Sequence, residues 1–135
     1  IKNLVIQKGI RHEFIPYVEH SDVLKYQVDA NLLLLVIPDV NHSKGILTGK
    51  LFEYLATGNC IFCIGPADGD AAEIINRCAS GKTFERDDKQ GMSQYLADQI
   101  KAYEQDKLFE FNKTEVAKFS RKEQAGQLSR MLNEL

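Results

Sequence analysis

The sequence predicts an α/β domain, a parallel sheet flanked by helices, on three observations. Residues 32–37 (LLLLVI) are a short continuous apolar run, the composition of a strand buried on both faces as in parallel sheets. Directly after it, across residues 46–57, the apolar period becomes that of a helix. A second apolar run, residues 60–64 (CIFCI), follows Gly58. Strands therefore alternate with helices, and right-handed crossovers join such units into a parallel sheet.

With 135 residues, 44% hydrophobic and 27% charged, the chain suffices for one core and not two. We expect a single domain over residues 1–135, with 113–135 as a C-terminal helical segment. A net charge of −2 gives no basic footprint for DNA or RNA, so a nucleic-acid partner is not expected. No apolar run approaches the roughly 20 residues of a spanning helix, and the first residues lack a charged-then-apolar leader. The chain reads as cytoplasmic. Cys60, Cys63 and Cys78 cannot all pair among themselves, which fits a reducing compartment. Cys60 and Cys63 have C-x-x-C spacing, but residues three apart on a strand point to opposite faces, so buried free thiols are expected. His12, His20 and His42 are too scattered to build a metal site with them.

In order, the chain opens at Ile1 without an initiating methionine, and Leu4, Val5 and Ile6 supply the first strand of the alternation. Residues 9–18 are loop-like around Pro16. A short helix over 21–28 is capped by Ser21 and turns Val23, Leu24 and Val28 inward. The 32–37 strand is stopped by Pro38, and the loop beyond carries Asn41, Ser43, Lys44 and Gly45. On the 46–57 helix, Leu47, Leu51 and Leu55 form one stripe with Phe52 and Ala56 beside it, and Gly58 ends it. Asp68 or Asp70 caps the next helix, whose buried face is Ile74, Ile75 and Cys78 and which Gly81 terminates. A strand over 82–84 follows. Residues 92–107 carry the stripe Met92, Leu96, Ile100 and Tyr103. Beyond Asn112, charges of both signs surround Val116, Phe119, Leu128, Met131 and Leu132, which reads as a solvated helical face rather than a membrane-binding one.

The chemistry concentrates in residues 41–58, NHSKGILTGKLFEYLATG. A strand, a glycine-containing loop and a helix start leave unpaired N–H groups with partial positive charge outside the carboxyl edge of a sheet. A phosphate there can accept backbone bonds beside Gly49, a hydroxyl bond from Thr48 and a charge-assisted bond from Lys50. One turn on, the Glu53 carboxylate can accept two bonds at once, which suits the paired hydroxyls of a ribose. The plainer alternative is a solvated Lys50–Glu53 pair at i,i+3. Against it, a lysine N-terminal to a glutamate is the less favourable order, and a first-turn cation is unfavourable until an anion arrives. The acidic loop at 68–70 repels phosphate, so a cap or sugar hydroxyls would be its partners, the cap being preferred.

GKLFEYLATG at residues 49–58, followed by the 60–64 strand and Gly65-Pro66, resembles the donor-binding segment of retaining GT-B-fold glycosyltransferases of bacterial type. The resemblance spans most of the chain and is densest over residues 30–84. It implies a Rossmann-like sheet, the C-terminal half of a GT-B architecture, incomplete at its N-terminus. Glu53 would then hold the ribose of a UDP- or GDP-sugar, and Thr48, Gly49 and Lys50 would meet the diphosphate. Ile10, Arg11 and His12 would border the base, a segment that by its residues alone is an exposed polar loop. Lys44 and Gly45 would lie near the donor sugar, Gly45 standing where the family often has a second glutamate. Asn31 likewise replaces a usual aspartate. The resemblance further implies a hexosyltransferase for polysaccharide or related biosynthesis, without metal or other cofactor, whose acceptor-binding domain lies outside this fragment. The full enzyme could associate peripherally with the inner face of a membrane, and this fragment alone would be inactive. A sugar-nucleotide epimerase of the same fold, or a non-catalytic α/β protein-interaction module, are the alternatives.

Overall fold

The computed structural model describes residues 2–134. Three parallel strands, β1 (Leu32–Val36), β2 (Cys60–Ile64) and β3 (Gly81–Phe84), lie in the order β1-β2-β3. The helices are α1 (Lys2–Gln7), α2 (His20–Asp29), α3 (Gly49–Thr57), α4 (Asp70–Arg77), α5 (Lys89–Glu104), α6 (Lys113–Ala117) and α7 (Arg121–Asn133). The α/β class and the parallel sheet are therefore as the alternation predicts, and the open sheet flanked by helices is consistent with a Rossmann-like fold.

The register sets Leu32 beside Cys60 and Ile61 beside Gly81, so alternate residues of neighbouring strands share a face. On one face Leu35, Ile37, Ile61 and Cys63 pack against Leu51 and Leu55 of α3 and Ile74 and Ile75 of α4. Leu51, Leu55, Ile61 and Ile75 are essentially dry, and each such side chain contributes roughly 1.5–3 kcal/mol. On the other face Phe62 and Phe84 stack with ring centroids 5.0 Å apart, and Tyr95 of α5 covers them at 6.1 and 5.4 Å. The Tyr95 hydroxyl lies 3.1 Å from Cys60 Sγ. Val116 and Phe119 close the first face from the C-terminal segment, Phe119 meeting Phe52 at 5.7 Å.

Several expectations are corrected. Leu4, Val5 and Ile6 lie in helix α1 rather than a strand, and Leu4 and Ile6 are exposed. A helix satisfies its own backbone, as Lys8 N–H does on Leu4 O at 3.0 Å, whereas a strand needs a neighbour. The β1 strand is buried on one face only: Leu34 and Val36 are 55% and 47% exposed, because Tyr95 covers β2 and β3 and not β1. The cap of α2 is Glu19, with no side-chain bond, instead of Ser21, and the buried position is Gln27 while Leu24 and Val28 stay exposed. The central helix starts at Gly49, not 46; residues Ser43–Gly45 form a 3-10 turn and Leu47 is exposed. Gly58 does end it, at φ 75° with its N–H on Leu55 O.

The α4 cap is Gly69 rather than Asp68 or Asp70, and α4 closes at Arg77 through Ala79 at φ 48°. Gly81 opens β3 instead of ending the helix. At its φ of 146°, a Cβ would stand 1.9 Å from Ile61 O, so the close approach of β3 to β2 requires glycine. On α5 the half-buried line is Met92, Tyr95, Gln99 and Ala102, and the expected Leu96, Ile100 and Tyr103 are exposed. The three cysteines are free and buried, as expected, and burial raises each thiol pKa. Among the described residues no helix is long and apolar enough to cross a membrane.

Candidate functional site

The carboxyl edge of the sheet is where the chain leaves β1 at Ile37, whose N–H still bonds Ile64 O at 2.9 Å. Pro38 ends the ladder there because it has no N–H to donate. The loop then runs through His42, at φ 66°, and the 3-10 turn to Thr48, which flanks α3 in extended conformation. The Thr48 carbonyl accepts the first bond of the helix from Leu51 N–H at 3.1 Å. Its hydroxyl makes no capping bond, and Oγ1 is buried without a protein partner among the described residues. A side chain at Gly49 would meet open space. The start of α3 thus presents amides with room above them at Gly49, while the Thr48 hydroxyl is buried rather than open to a ligand.

Lys50 lies exposed in this first turn and makes no ion pair with Glu53, so the i,i+3 pair is not formed. Glu53 faces α2 instead. Its Oε2 accepts from Gln27 Nε2 at 3.1 Å and its Oε1 is 3.9 Å from His20 Nε2. The Glu53 side chain keeps 34% of its exposure. Beside it, burial raises the Tyr54 hydroxyl pKa, with the Glu53 charge adding to the shift.

The second helix start, that of α4, is drawn to the same loop. Gly69 approaches so closely that a Cβ there would be 2.9 Å from Lys44 O and 3.3 Å from Pro66 O. Lys44 Nζ donates to Asp68 Oδ2 at 2.5 Å, clasping the two loops. That bond raises the Lys44 pKa and lowers that of Asp68. Lys44 therefore stands beside a carboxylate, while a Cβ on Gly45 would be 4.0 Å from Asp70 Oδ2. Next to the clasp is a cavity of about 190 Å³ lined by Pro38, Asp39, Ser43, Pro66, Glu85 and Arg86 among others. Arg86 Nη2 donates to Ile37 O at 2.6 Å, and Glu85 Oε1 accepts from Ala67 N–H at 2.7 Å.

The structure thus brings Lys44, Gly45, Thr48, Gly49 and Lys50 together along the loop and first turn, with Glu53 one turn on. Ile10, Arg11 and His12 are exposed and their polar contacts are local: His12 Nδ1 is 2.5 Å from Ile10 O, and its ring meets Phe14 edge-on at 4.9 Å. No hydrogen bond or ion pair among the described residues ties these three to α3.

Two residues escape a reading by pattern. Gln27 is the buried partner of Glu53, and Asn59 Nδ2 donates to Gln27 O and Val28 O at 2.8 and 2.9 Å, fixing the end of α2 against the start of β2. The signal for Gln27 was its place four residues after Val23, on the side of α2 that packs inward. No protein-family model, curated protein or solved structure matches this chain.

Proposed function

We propose that this chain is the nucleotide-sugar-binding domain of a glycosyltransferase of the retaining GT-B kind. The observation that supports the reading is the start of α3, which no side chain caps among the described residues. The first turn of α3 offers backbone N–H groups, open space at Gly49 and the cation of Lys50, the Thr48 hydroxyl lying buried. A cation in a first turn opposes the helix dipole, so the arrangement gains most when a dianionic diphosphate sits between them.

In this reading the diphosphate of a UDP- or GDP-sugar docks on Thr48, Gly49 and Lys50, and Glu53 accepts bonds from the ribose hydroxyls. As the glycosidic bond to the diphosphate breaks, charge grows on the leaving oxygen, and the amides of the helix start together with the Lys50 cation would lower the barrier. The acceptor would be held by a second domain of the intact enzyme. The acidic groups at Asp39, Glu85 and Asp87 line the neighbouring cavity and suit hydroxyls rather than further phosphate.

Edge strand β1, with Leu34 and Val36 exposed, favours a second reading in which the chain is a protein-interaction module. Saturation-transfer NMR of the intact protein with UDP-, GDP- and ADP-sugars separates the two. Transfer to one nucleotide series, lost in Lys50→Ala, is the expected result. Transfer to none of them removes the transferase reading.

A further inference from the structure

Gln27 and Ser80 are the polar side chains of the core among the described residues, and Gln27 is 8% exposed. Its Nε2 donates to Glu53 Oε2 at 3.1 Å, an orientation the carboxylate dictates, since the reversed amide would set oxygen against oxygen. Its own Oε1 is left buried with no partner among the described residues. For packing alone, leucine or methionine would fill this place without stranding an acceptor. A glutamine there serves Glu53.

We infer that Gln27 is a positioning residue, whose amide holds one oxygen of Glu53 so that the other is presented to the ribose hydroxyls of a bound nucleotide. The inference rests on the nucleotide-binding reading above. Two features support it. The backbone of Gln27 is immobilised by Asn59, which bonds its carbonyl at 2.8 Å, so the amide reaches Glu53 from a fixed point. A neutral amide also orients the carboxylate without neutralising it, as a lysine or arginine in its place would, and the charge remains available to a ligand. The remaining oxygen, Oε1, is 3.9 Å from His20 Nε2, beyond hydrogen-bond reach, so its lone pairs are not committed to that ring.

The test is calorimetric titration of the intact protein with UDP and GDP and with their 2′-deoxy counterparts. The ratio of the two affinities is read within one preparation, so a smaller folded fraction cancels. Wild type is expected to prefer the ribonucleotide by about tenfold, the size of one hydrogen bond to a charged group. Gln27→Met, close to isosteric, should reduce that preference to within about twofold with an unchanged or higher melting temperature. Gln27→Leu serves if the methionine variant does not fold. Glu53→Ala should abolish the preference, and the double variant should be no worse, since Gln27 acts through Glu53. A Gln27→Met protein with the wild-type preference, alongside a Glu53→Ala protein without it, overturns the inference and leaves the reading of the site intact. Wild type without a ribose preference, or without nucleotide binding, overturns the reading and the inference together.

Discussion

Replacing Asn59 should loosen the joint between α2 and the sheet, and the replacement chosen should decide by how much. Its side-chain amide donates to two carbonyls at the end of α2, those of Gln27 and Val28, at 2.8 and 2.9 Å. Asn59→Ala removes both bonds, each worth about 1 kcal/mol net, and leaves one partly buried carbonyl to be rehydrated. A loss of roughly 1–3 kcal/mol follows, or a fall in melting temperature of roughly 4–10 °C for a domain of this size. Asn59→Asp is the sharper variant. It is close to isosteric, yet it turns a double donor into a charged acceptor facing two carbonyls, so at neutral pH it should be less stable than Asn59→Ala. The native fold disfavours the ionised form of that new carboxyl, which raises its folded pKa. The deficit is therefore present above the carboxylate range and shrinks as pH falls through the raised value, where the protonated acid can donate. Urea unfolding monitored by circular dichroism at neutral and acidic pH reads both effects, with the midpoint moving and the slope constant. An aspartate variant as stable as the alanine variant at neutral pH would refute the reasoning, because the carbonyls would then not be relying on the amide.

Other consequences are open to measurement. Gly81→Ala places a Cβ 1.9 Å from Ile61 O at a φ of 146°, so it should cost more than the roughly 1–2 kcal/mol of backbone strain alone and split the β2–β3 pairing, seen as lost amide protection across β3. The Lys44–Asp68 clasp lowers the Asp68 pKa and raises that of Lys44, so its contribution is present between the ordinary carboxylate and lysine ranges. It is lost as pH falls through the lowered Asp68 value or rises through the raised Lys44 value, and the stability gap between wild type and Lys44→Met should narrow at both ends and in high salt. Burial lifts the thiols of Cys60, Cys63 and Cys78, so a thiol reagent at pH 8 should modify them slowly in the native protein and rapidly in denaturant.

The parallel sheet was legible because residues 32–37 and 60–64 are continuous apolar runs separated by a helical period, a pattern that local sequence carries. What periodicity cannot carry is which neighbours exist. Leu4 to Ile6 read as a strand by composition, but with β1 the edge of the sheet there is no ladder for them, and a helix closes its own bonds. Leu34 and Val36 are exposed for another reason: on their face of the sheet Tyr95 covers Phe62 and Phe84 of β2 and β3 and not β1. On α5 the error lay in the phase of the stripe: Tyr95, not Leu96, meets Phe62 and Phe84. At the candidate site, Pro38 marks the end of the strand and Gly58 the end of the helix, whereas the apolar period sets the helix start three residues early, at 46 instead of Gly49. The partners of Glu53 and Lys44, namely Gln27 and Asp68, were not legible, because residues 26 and 24 positions apart meet only through the fold.

The proposed transferase role requires the first turn of α3 to be a seat for a nucleoside diphosphate. Its most direct measurement is a calorimetric titration of the intact protein with UDP and with GDP, for wild type, Lys50→Ala and Glu53→Ala. Loss of one charge-assisted bond should weaken the better nucleotide by about tenfold or more in each variant. Unchanged affinity in both variants would contradict the claim.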